Sequence, residues 1–361
     1  MADSGGHWKN LAEAVKLTQS MKIPGVFEED IKRNNPLDRV AVAQAAHTGN
    51  KIEWLREKTT AEDAVQEIEV GEQLSWSDDV EYEEKEMTLR TTYIQRKLDK
   101  YVQGIYGTYN NYESRVLIES EKGLKRRIGS RLIYADNTYT SSKQFDGLHA
   151  LAAEHGTAYT TAATGNDAKN IDAGEAGLSL HYLRVMVDAM LLGVDELWAP
   201  FEIIRWLDAA YQEKGFVGLA TATAGNLGFL TLGYNDIGKR VLFWDGIPII
   251  RTDYLVAEQA NTGTGASSDA RALNSSGDKQ YSIFGVKRGS GALDGSDPGL
   301  VFAYANIEGG AQGDLYKIVR FPELEDYDAG GIRLINYGAL LLPSSHVLGR
   351  IWDIEDAAIL V

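Results

Sequence analysis

Apolar residues recur at helical spacing in three segments of the chain, and each segment predicts a helix. The segments run from Asn111 to Asp136, from Ala176 to Leu192 and from Pro200 to Gln212. The two glycines of the first segment, Gly123 and Gly129, each weaken a helix by about 1 kcal/mol relative to alanine. The period continues through them, and its apolar face is formed by Leu117, Leu124, Ile128 and Leu132.

Alternating apolar and polar residues predict extended structure before the first helix. Val65, Ile68 and Val70 precede Gly71. Met87, Leu89, Thr91 and Tyr93 alternate with polar residues. We therefore expect two strands around the acidic stretch 71–84. They would form a long hairpin with a charged tip that is too polar to pack into a core.

The second half of the chain is predicted to consist mainly of strands and loops. Residues 241–244 and 247–250 flank the turn pair Asp245-Gly246, which predicts a hairpin. Residues 258–280 are rich in Gly, Ser and Asn and predict a surface loop. Further strands are predicted at 281–286, 300–306 and 332–342.

The first fifty residues predict an arm rather than part of a core. A short amphipathic helix is expected from Trp8 to about Ser20, and Pro24 and Pro36 then interrupt regular structure. Such a segment needs a neighbour, either the rest of the chain or another chain. We expect residues 1–50 to be dispensable for folding and necessary for assembly.

Composition narrows the classes of function. The 361 residues carry a net charge of -16, which repels nucleic acid and anionic membranes at long range and argues against a general DNA-coating role. There are no cysteines, so disulfides, thiolate metal sites and a cysteine nucleophile are excluded. No apolar run approaches the roughly 20 residues of a membrane span, and no signal peptide is expected after Met1.

Candidate catalytic motifs are weak. Gly233–Arg240 matches the spacing of a phosphate-binding loop, but Arg240 stands where Ser or Thr would hold magnesium, and a strand pattern follows. A hairpin turn explains these residues better. His149, Glu154 and His155 lack the spacing of a zinc protease. We therefore expect a protein without enzymatic activity, cofactor or metal.

Five stretches, in this order, resemble segments of the major capsid protein of tailed bacteriophages, whose shell fold encapsulins also use. They are TLRTTYIQRKL (88–98), SRVLIESEKGLKRRIGSRLIYADN (114–137), FDGLHALAAEHG (145–156), VLFWDGIPIIRTDYL (241–255) and LINYGALLLPSSHVLGRIWDI (334–354). The first is similar to the strand that descends from the family's extended loop, and the second is similar to its spine helix. The resemblance covers about residues 50–361.

The resemblance implies an α+β fold with an N-terminal arm, an extended β-hairpin loop, a peripheral domain with a long spine helix, and an apical α/β domain. The implied boundaries are 1–50 for the arm, 51–95 for the hairpin loop, 96–150 with 302–345 for the peripheral domain, and 151–301 with 346–361 for the apical domain.

The implied function is self-assembly, through pentamers and hexamers, into the icosahedral head that encloses the dsDNA genome of a tailed bacteriophage. The resemblance also implies assembly in the host cytoplasm, a separate scaffold protein, a portal and in some members a decoration protein. DNA would be enclosed without sequence-specific binding. An encapsulin-like compartment is the first alternative, and a phosphate-binding enzyme that uses Gly233–Arg240 or a multivalent adhesin would be a different class.

Charge along the chain suggests where subunits would meet. Residues 61–90 hold eleven acidic and two basic residues, whereas residues 91–135 carry a net charge of +5. We expect the hairpin to dock on the basic helix of a neighbouring subunit, through Trp76, Asp78, Asp79, Glu81, Glu83, Glu84, Lys85, Glu86, Lys122, Lys125, Arg126, Arg127 and Arg131. Two alternatives stay open: two solvated faces, or a basic cluster that faces the lumen and packaged DNA. Lys85, flanked by acidic residues, is expected to be an internal charge partner rather than a cross-linking nucleophile.

Overall fold

A computed structural model describes residues 28–45, 50–58, 62, 65–73, 76, 81–100, 112–138, 143–156, 158–159, 167–219, 230–234, 240–258, 280–305, 315–324 and 328–360. The helix predicted at 8–20, most of the loop predicted at 258–280, and Asp78 and Asp79 lie outside these residues.

The described chain combines helices and strands in a mixed order. The helices are α1 (Tyr112–Tyr134), α2 (Leu148–Ala152), α3 (Leu180–Ala189) and α4 (Phe201–Leu219). The strands are β1 (Ala41–Ala45), β2 (Lys51–Glu57), β3 (Tyr82–Thr88), β4 (Arg90–Asp99), β5 (Ala158–Tyr159), β6 (Asp167–Ala176), β7 (Glu196–Ala199), β8 (Leu230–Tyr234), β9 (Arg240–Trp244), β10 (Ile247–Arg251), β11 (Gln280–Val286), β12 (Val301–Ala305), β13 (Lys317–Phe321), β14 (Ala329–Leu341) and β15 (Leu348–Glu355).

The long helix α1 packs on a five-stranded sheet. The sheet has the order β1-β12-β14-β13, and β4 pairs antiparallel along β14. Leu124, Ile128 and Leu132 of α1 are almost completely buried in this core. The helix predicted at Asn111–Asp136 is therefore confirmed to within two residues at each end, together with most of its apolar face.

An eight-stranded sheet forms the second unit, in the order β5-β6-β15-β11-β7-β10-β9-β8. Helix α3 lies close to it where Gly285 of β11 and Gly349 of β15 are paired. A Cβ atom at Gly349 would lie 2.7 Å from Cγ of Met186, so glycine is what permits this approach. Helix α3 is shorter than predicted, because Ser179 caps its N-terminus and the helix ends at Ala189. Helix α4 extends beyond Gln212.

The predicted long hairpin is present, but its ascending strand differs from the prediction. Strand β2 pairs antiparallel with β3, and Trp54 lies opposite Lys85. Val65 and Val70, placed in a strand by the sequence pattern, lie in an irregular segment and are highly exposed. The physical reason is that no sheet or core lies against them, so the alternation has nothing to bury.

Part of the predicted arm belongs to the body of the chain. Strand β1 pairs parallel with β12, and Leu37 and Val40 are buried in the core that contains α1. Residues 36–45 therefore pack in the body of the chain, which argues against the expectation that all of residues 1–50 are dispensable for folding. The sequence pattern could not reveal this, since the partner strand is about 260 residues away.

Two hairpins predicted by turn residues are observed. Strands β9 and β10 pair antiparallel around Asp245 and Gly246, which both have positive φ, at 48° and 83°. These angles suit the tight turns that match strand twist. Strands β8 and β9 also pair antiparallel, with Tyr234 opposite Arg240. The residues that resemble a phosphate-binding loop thus join two strands, not a strand and a helix.

Candidate subunit-interaction surface

The hairpin formed by β2 and β3 is attached to the rest of the chain by one face. Arg56 donates from Nε to the carbonyl oxygen of Pro343 at 2.6 Å and pairs with the carboxylate of Glu154 at 2.5 Å. The indole of Trp54 donates to the same Pro343 oxygen at 3.2 Å. The base of the hairpin, which we name its root, is therefore held by Trp54 and Arg56, two residues on the same face of β2.

Lys85 takes part in this root. Its ammonium lies 2.8 Å from Glu154 and 2.8 Å from Glu83, and the hydrogen bonds to Glu154 and then Glu83 raise the pKa of Lys85. Burial alone would raise the pKa of Glu154, but the hydrogen bonds from Lys85 and Arg56 lower it. Lys85 is thus an internal charge partner in this structure, in the way its acidic neighbours predict.

The opposite, outer face of the hairpin is open to solvent. Leu55 is 70% exposed and Tyr82 is 67% exposed, and acidic side chains surround them. The predicted interface residues of this strand are distributed over both faces. Glu84 and Glu86 lie on the outer face. Glu86 pairs with Lys51, and Glu81 pairs with Lys58. Trp76 is fully exposed.

Three of the predicted basic interface residues of α1 have acidic partners in the same chain. Lys122 and Arg126 both pair with Glu28, and Arg126 also pairs with Asp30 at 3.2 Å. Lys125 pairs with Glu121 one turn earlier, at 2.8 Å. The side-chain hydrogen bond from Lys122 lowers the pKa of Glu28. The N-terminal segment, which charge counting along the helix did not consider, thus neutralises part of the cluster.

Arg127 and Arg131 lie on an adjacent row of α1 and have different surroundings. With Gly123 they line a groove of about 800 Å³ between α1 and β4. Arg131 donates from Nη1 to Oγ1 of Thr92 at 3.0 Å. Arg90 and Lys143 complete the basic lining, and none of the lining residues that the structure describes is acidic. Sequence reasoning missed Arg90 and Lys143, because they come from a strand and a loop and not from the helix.

A buried polar cluster joins the C-terminal end of α1 to the eight-stranded sheet. Arg350 pairs with Glu258 at 3.1 Å, and both side chains are at least 95% buried. Ser282 and Tyr134 donate to the two oxygens of Glu258, at 2.6 Å and 2.9 Å. Burial, followed by the charge of Glu258, raises the pKa of Tyr134 far above its usual value. Breaking such a pair leaves an uncompensated charge in the interior, so the cluster fixes how the helix meets the sheet.

The two candidate histidines, His149 and His155, are buried. His149 is buried beside Tyr134, and burial followed by the charge of Arg350 lowers its pKa well below the usual value. His155 is also buried, and burial lowers its pKa. Within the described ranges, no group of three His, Asp or Glu side chains is placed to hold a metal ion. No described helix is long and apolar enough to cross a membrane.

The sequence and the structure were each compared with known proteins. No protein-family model matches the sequence, and no curated protein matches it either. Solved structures do match, at low identity. The SrpI encapsulin of Synechococcus elongatus PCC 7942 aligns over 97% of both chains with a TM-score of 0.62 and 13% identity.

Two further similar structures are capsids. The capsid of the cyanophage P-SCSP1u aligns over 93% of both chains, with a TM-score of 0.53 and 12% identity. The capsid of a native GTA particle aligns over 95% of this chain and 97% of its own, with a TM-score of 0.54 and 12% identity. The chain therefore has the α+β fold shared by the capsid proteins of tailed phages and the encapsulins.

Proposed function

We propose that this protein is a shell subunit that assembles with copies of itself into a closed particle. The observation that carries the proposal is that the fold matches shell proteins over nearly the whole chain, not over one domain. The described hairpin also supports it, because Leu55 and Tyr82 stay exposed on a hairpin that has no core of its own. Repeated contacts between such extensions hold closed symmetric assemblies together.

The particle we favour is the icosahedral head of a tailed bacteriophage, built from pentamers and hexamers around dsDNA. The net charge of -16 suits a container that holds DNA without adhering to it. The two capsid structures, from a cyanophage and a GTA particle, are consistent with this choice. A scaffold protein, a portal and a decoration protein belong to the same proposal, as does assembly in the host cytoplasm.

The second candidate is a protein compartment like that of the encapsulin. A TM-score of 0.62 over 97% of both chains favours it.

Electron microscopy of the purified full chain tests the shared proposal. Closed shells, or five- and six-membered rings, are expected; a monomer that stays dispersed at high concentration and in the presence of cellular extract would contradict it. Particles isolated from cells that naturally make the chain separate the two candidates. Nuclease-resistant dsDNA inside them would support the head, and enclosed protein without DNA would support the compartment.

A further inference from the structure

A cleft of about 1000 Å³ lies beside the root of the hairpin, and its lining includes four side chains that can donate hydrogen bonds. These are His155, Lys169, Ser345 and His346, which we name the donor cluster. They come from three separate segments: the turn that follows α2, strand β6 and the turn that precedes β15. Sequence spacing did not reveal the cluster, because its members are far apart in the chain.

The two histidines of the donor cluster have buried ring nitrogens that are not used within the chain. His155 is 6% exposed, and among the described residues neither of its ring nitrogens has a partner in ordinary hydrogen-bonding geometry. The same holds for Nδ1 of His346. Buried polar atoms in folded proteins are nearly always hydrogen-bonded, so these nitrogens indicate a ligand that can bond to them.

Lys169 supplies the permanent charge of the donor cluster. Its side chain is 11% exposed, and its ammonium lies 3.4 Å from Oγ of Ser345 and 3.6 Å from the carboxylate of Asp167. An ammonium has three donors, and its bonds to charged acceptors are about 2.7–2.9 Å long. Both contacts of Lys169 are longer than this, so its ammonium can still donate a short bond to a further acceptor.

An anion suits the donor cluster better than a cation does. A metal ion would be repelled by the ammonium of Lys169. Burial, and then the charge of Lys169, lower the pKa of both His155 and His346, which favours neutral rings that can each donate one hydrogen bond. A tetrahedral oxyanion presents acceptor oxygens in several directions, so it can accept from residues of all three segments.

Acidic residues also line the cleft, and several of them are engaged elsewhere. Glu83 and Glu154 pair with Lys85, and Asp297 accepts from the backbone of residues 290, 291 and 299. Asp167 contacts the donor cluster directly, since its Oδ2 lies 3.6 Å from the ammonium and 3.9 Å from Nδ1 of the buried histidine. It therefore offsets part of the positive charge, and we expect it to weaken anion binding without preventing it.

We propose that the donor cluster is a binding site for one phosphate or sulfate group. Lys169 pairs with the charge of the group, and His155, Ser345 and His346 donate to its oxygens. Because Lys169 is only 9% exposed, the backbone of a DNA duplex cannot reach it, whereas a free ion or the terminal phosphate of a small nucleotide can. The site does not depend on the proposed shell function, so either can fail without the other.

Equilibrium dialysis of the full chain against radiolabelled inorganic phosphate, at constant ionic strength, tests the proposal. We expect saturable binding of one ion per chain. Lys169→Gln should weaken it about tenfold or more, because the charge that pairs with the ion is lost. The matched control Lys317→Gln removes the same charge from an exposed position on β13 and should stay within about twofold of the unmodified chain. No saturable binding, or an equal loss in both variants, would overturn the proposal.

A variant that gains affinity keeps the test decisive even if Lys169→Gln does not fold. Asp167→Asn removes the carboxylate beside the donor cluster and keeps an oxygen that can accept from the backbone of Lys169, as Asp167 does at 2.9 Å. It should bind phosphate about fivefold more tightly, because a like charge close to the ion is removed. Unchanged or weaker binding by folded Asp167→Asn would contradict the proposed site.

Competition against the labelled phosphate identifies the source of the group. Unlabelled sulfate should displace it, and so should a nucleoside monophosphate. Tighter competition by the nucleotide would assign the site to a nucleotide, and tighter competition by the inorganic ions would assign it to the free ion; both results support the site. Displacement by chloride at equal ionic strength, as effective as displacement by sulfate, would show charge screening only and overturn the proposal.

Discussion

The side chain of Asn35 lies directly against Gly129 of α1. Its Nδ2 donates to the carbonyl oxygen of Lys125 at 3.1 Å, and its Oδ1 accepts from the backbone of Leu37 at 3.1 Å. A Cβ atom at Gly129 would lie 1.9 Å from Oδ1 of Asn35. The glycine that weakens the helix as a sequence element is therefore the residue that lets the N-terminal segment pack on it.

Two glycine-to-alanine substitutions in α1 should have opposite effects. Gly129→Ala should lower the free energy of unfolding by about 1 kcal/mol or more, because the displaced Asn35 loses its cap and its bond to the helix. Gly123→Ala should raise it by about 0.5–1 kcal/mol, since alanine favours a helix and meets no close neighbour. Denaturant unfolding of both variants provides the measurement. Equal effects would show that Asn35 does not constrain Gly129.

Two truncations should separate the arm from the body. Removing residues 1–27 should leave a cooperative melt close to that of the full chain. Removing residues 1–50 should destabilise the protein by several kcal/mol, because Leu37 and Val40 are buried and each contributes about 1.5–3 kcal/mol. Calorimetry of both truncations is the check, and indistinguishable melting temperatures would contradict the packing of β1 against β12.

Glu154 should control the attachment of the hairpin. Glu154→Gln removes the charge that Arg56 and Lys85 share, and hydrogen bonds to charged groups contribute about 1.5–3 kcal/mol. Amide exchange in β2 and β3 should then accelerate about tenfold. Glu83→Gln is the matched control: it removes only the more exposed partner of Lys85 and should change exchange little. If both variants exchange alike, Glu154 is not what holds the root.

Asp353 makes the eight-stranded sheet sensitive to pH. Burial, and then the nearby Asp172, raise the pKa of Asp353 to about 6. The folded state therefore binds a proton more tightly than the unfolded state does, and this group's contribution to stability falls as pH rises from about 4 to above 6.

Asp353→Asn should isolate that contribution. The amide keeps an oxygen that can accept from the backbone of Glu175, as Asp353 does at 3.0 Å, and asparagine tolerates the positive φ of 61°. The variant should melt higher than the unmodified chain at pH 8, and the difference should shrink at pH 5. The buried histidines affect both proteins equally, so a constant difference would rule out titration of Asp353.

Subunits should not become covalently linked through Lys85. Its ammonium is held by Glu154 and Glu83, which raise its pKa and keep it protonated and poorly nucleophilic. Denaturing gels of purified particles should show a single band near 39.7 kDa. A ladder of multiples that Lys85→Arg removes would contradict this expectation.

Sequence patterns predicted those helices and turns whose structure depends on residues close together in the chain. The apolar period of α1 and the Asp245-Gly246 turn are set by neighbours in sequence, and both predictions were confirmed. The order of five weak motifs was enough to indicate the fold. The strand predicted around Val65 and Val70 was wrong, because alternating apolar and polar residues form a strand only where one of its faces is covered.

The interaction surface was less predictable, because it depends on residues far apart in the chain. Charge counting found the acidic segment and the basic helix, but it could not assign Glu28 to Arg126 across 98 residues. Arg350 was also missed, and its signal was a basic residue between apolar residues of a strand.

The pairing of early strands with late ones has a consequence for biosynthesis. Strand β1 pairs with β12, and β6 pairs with β15, so both large sheets need residues that are made long after their partner strands. A chain that stops before Leu348 would leave β6 and β11 with bare edges in the middle of the sheet. A chain must therefore extend through β15 before the eight-stranded sheet can close.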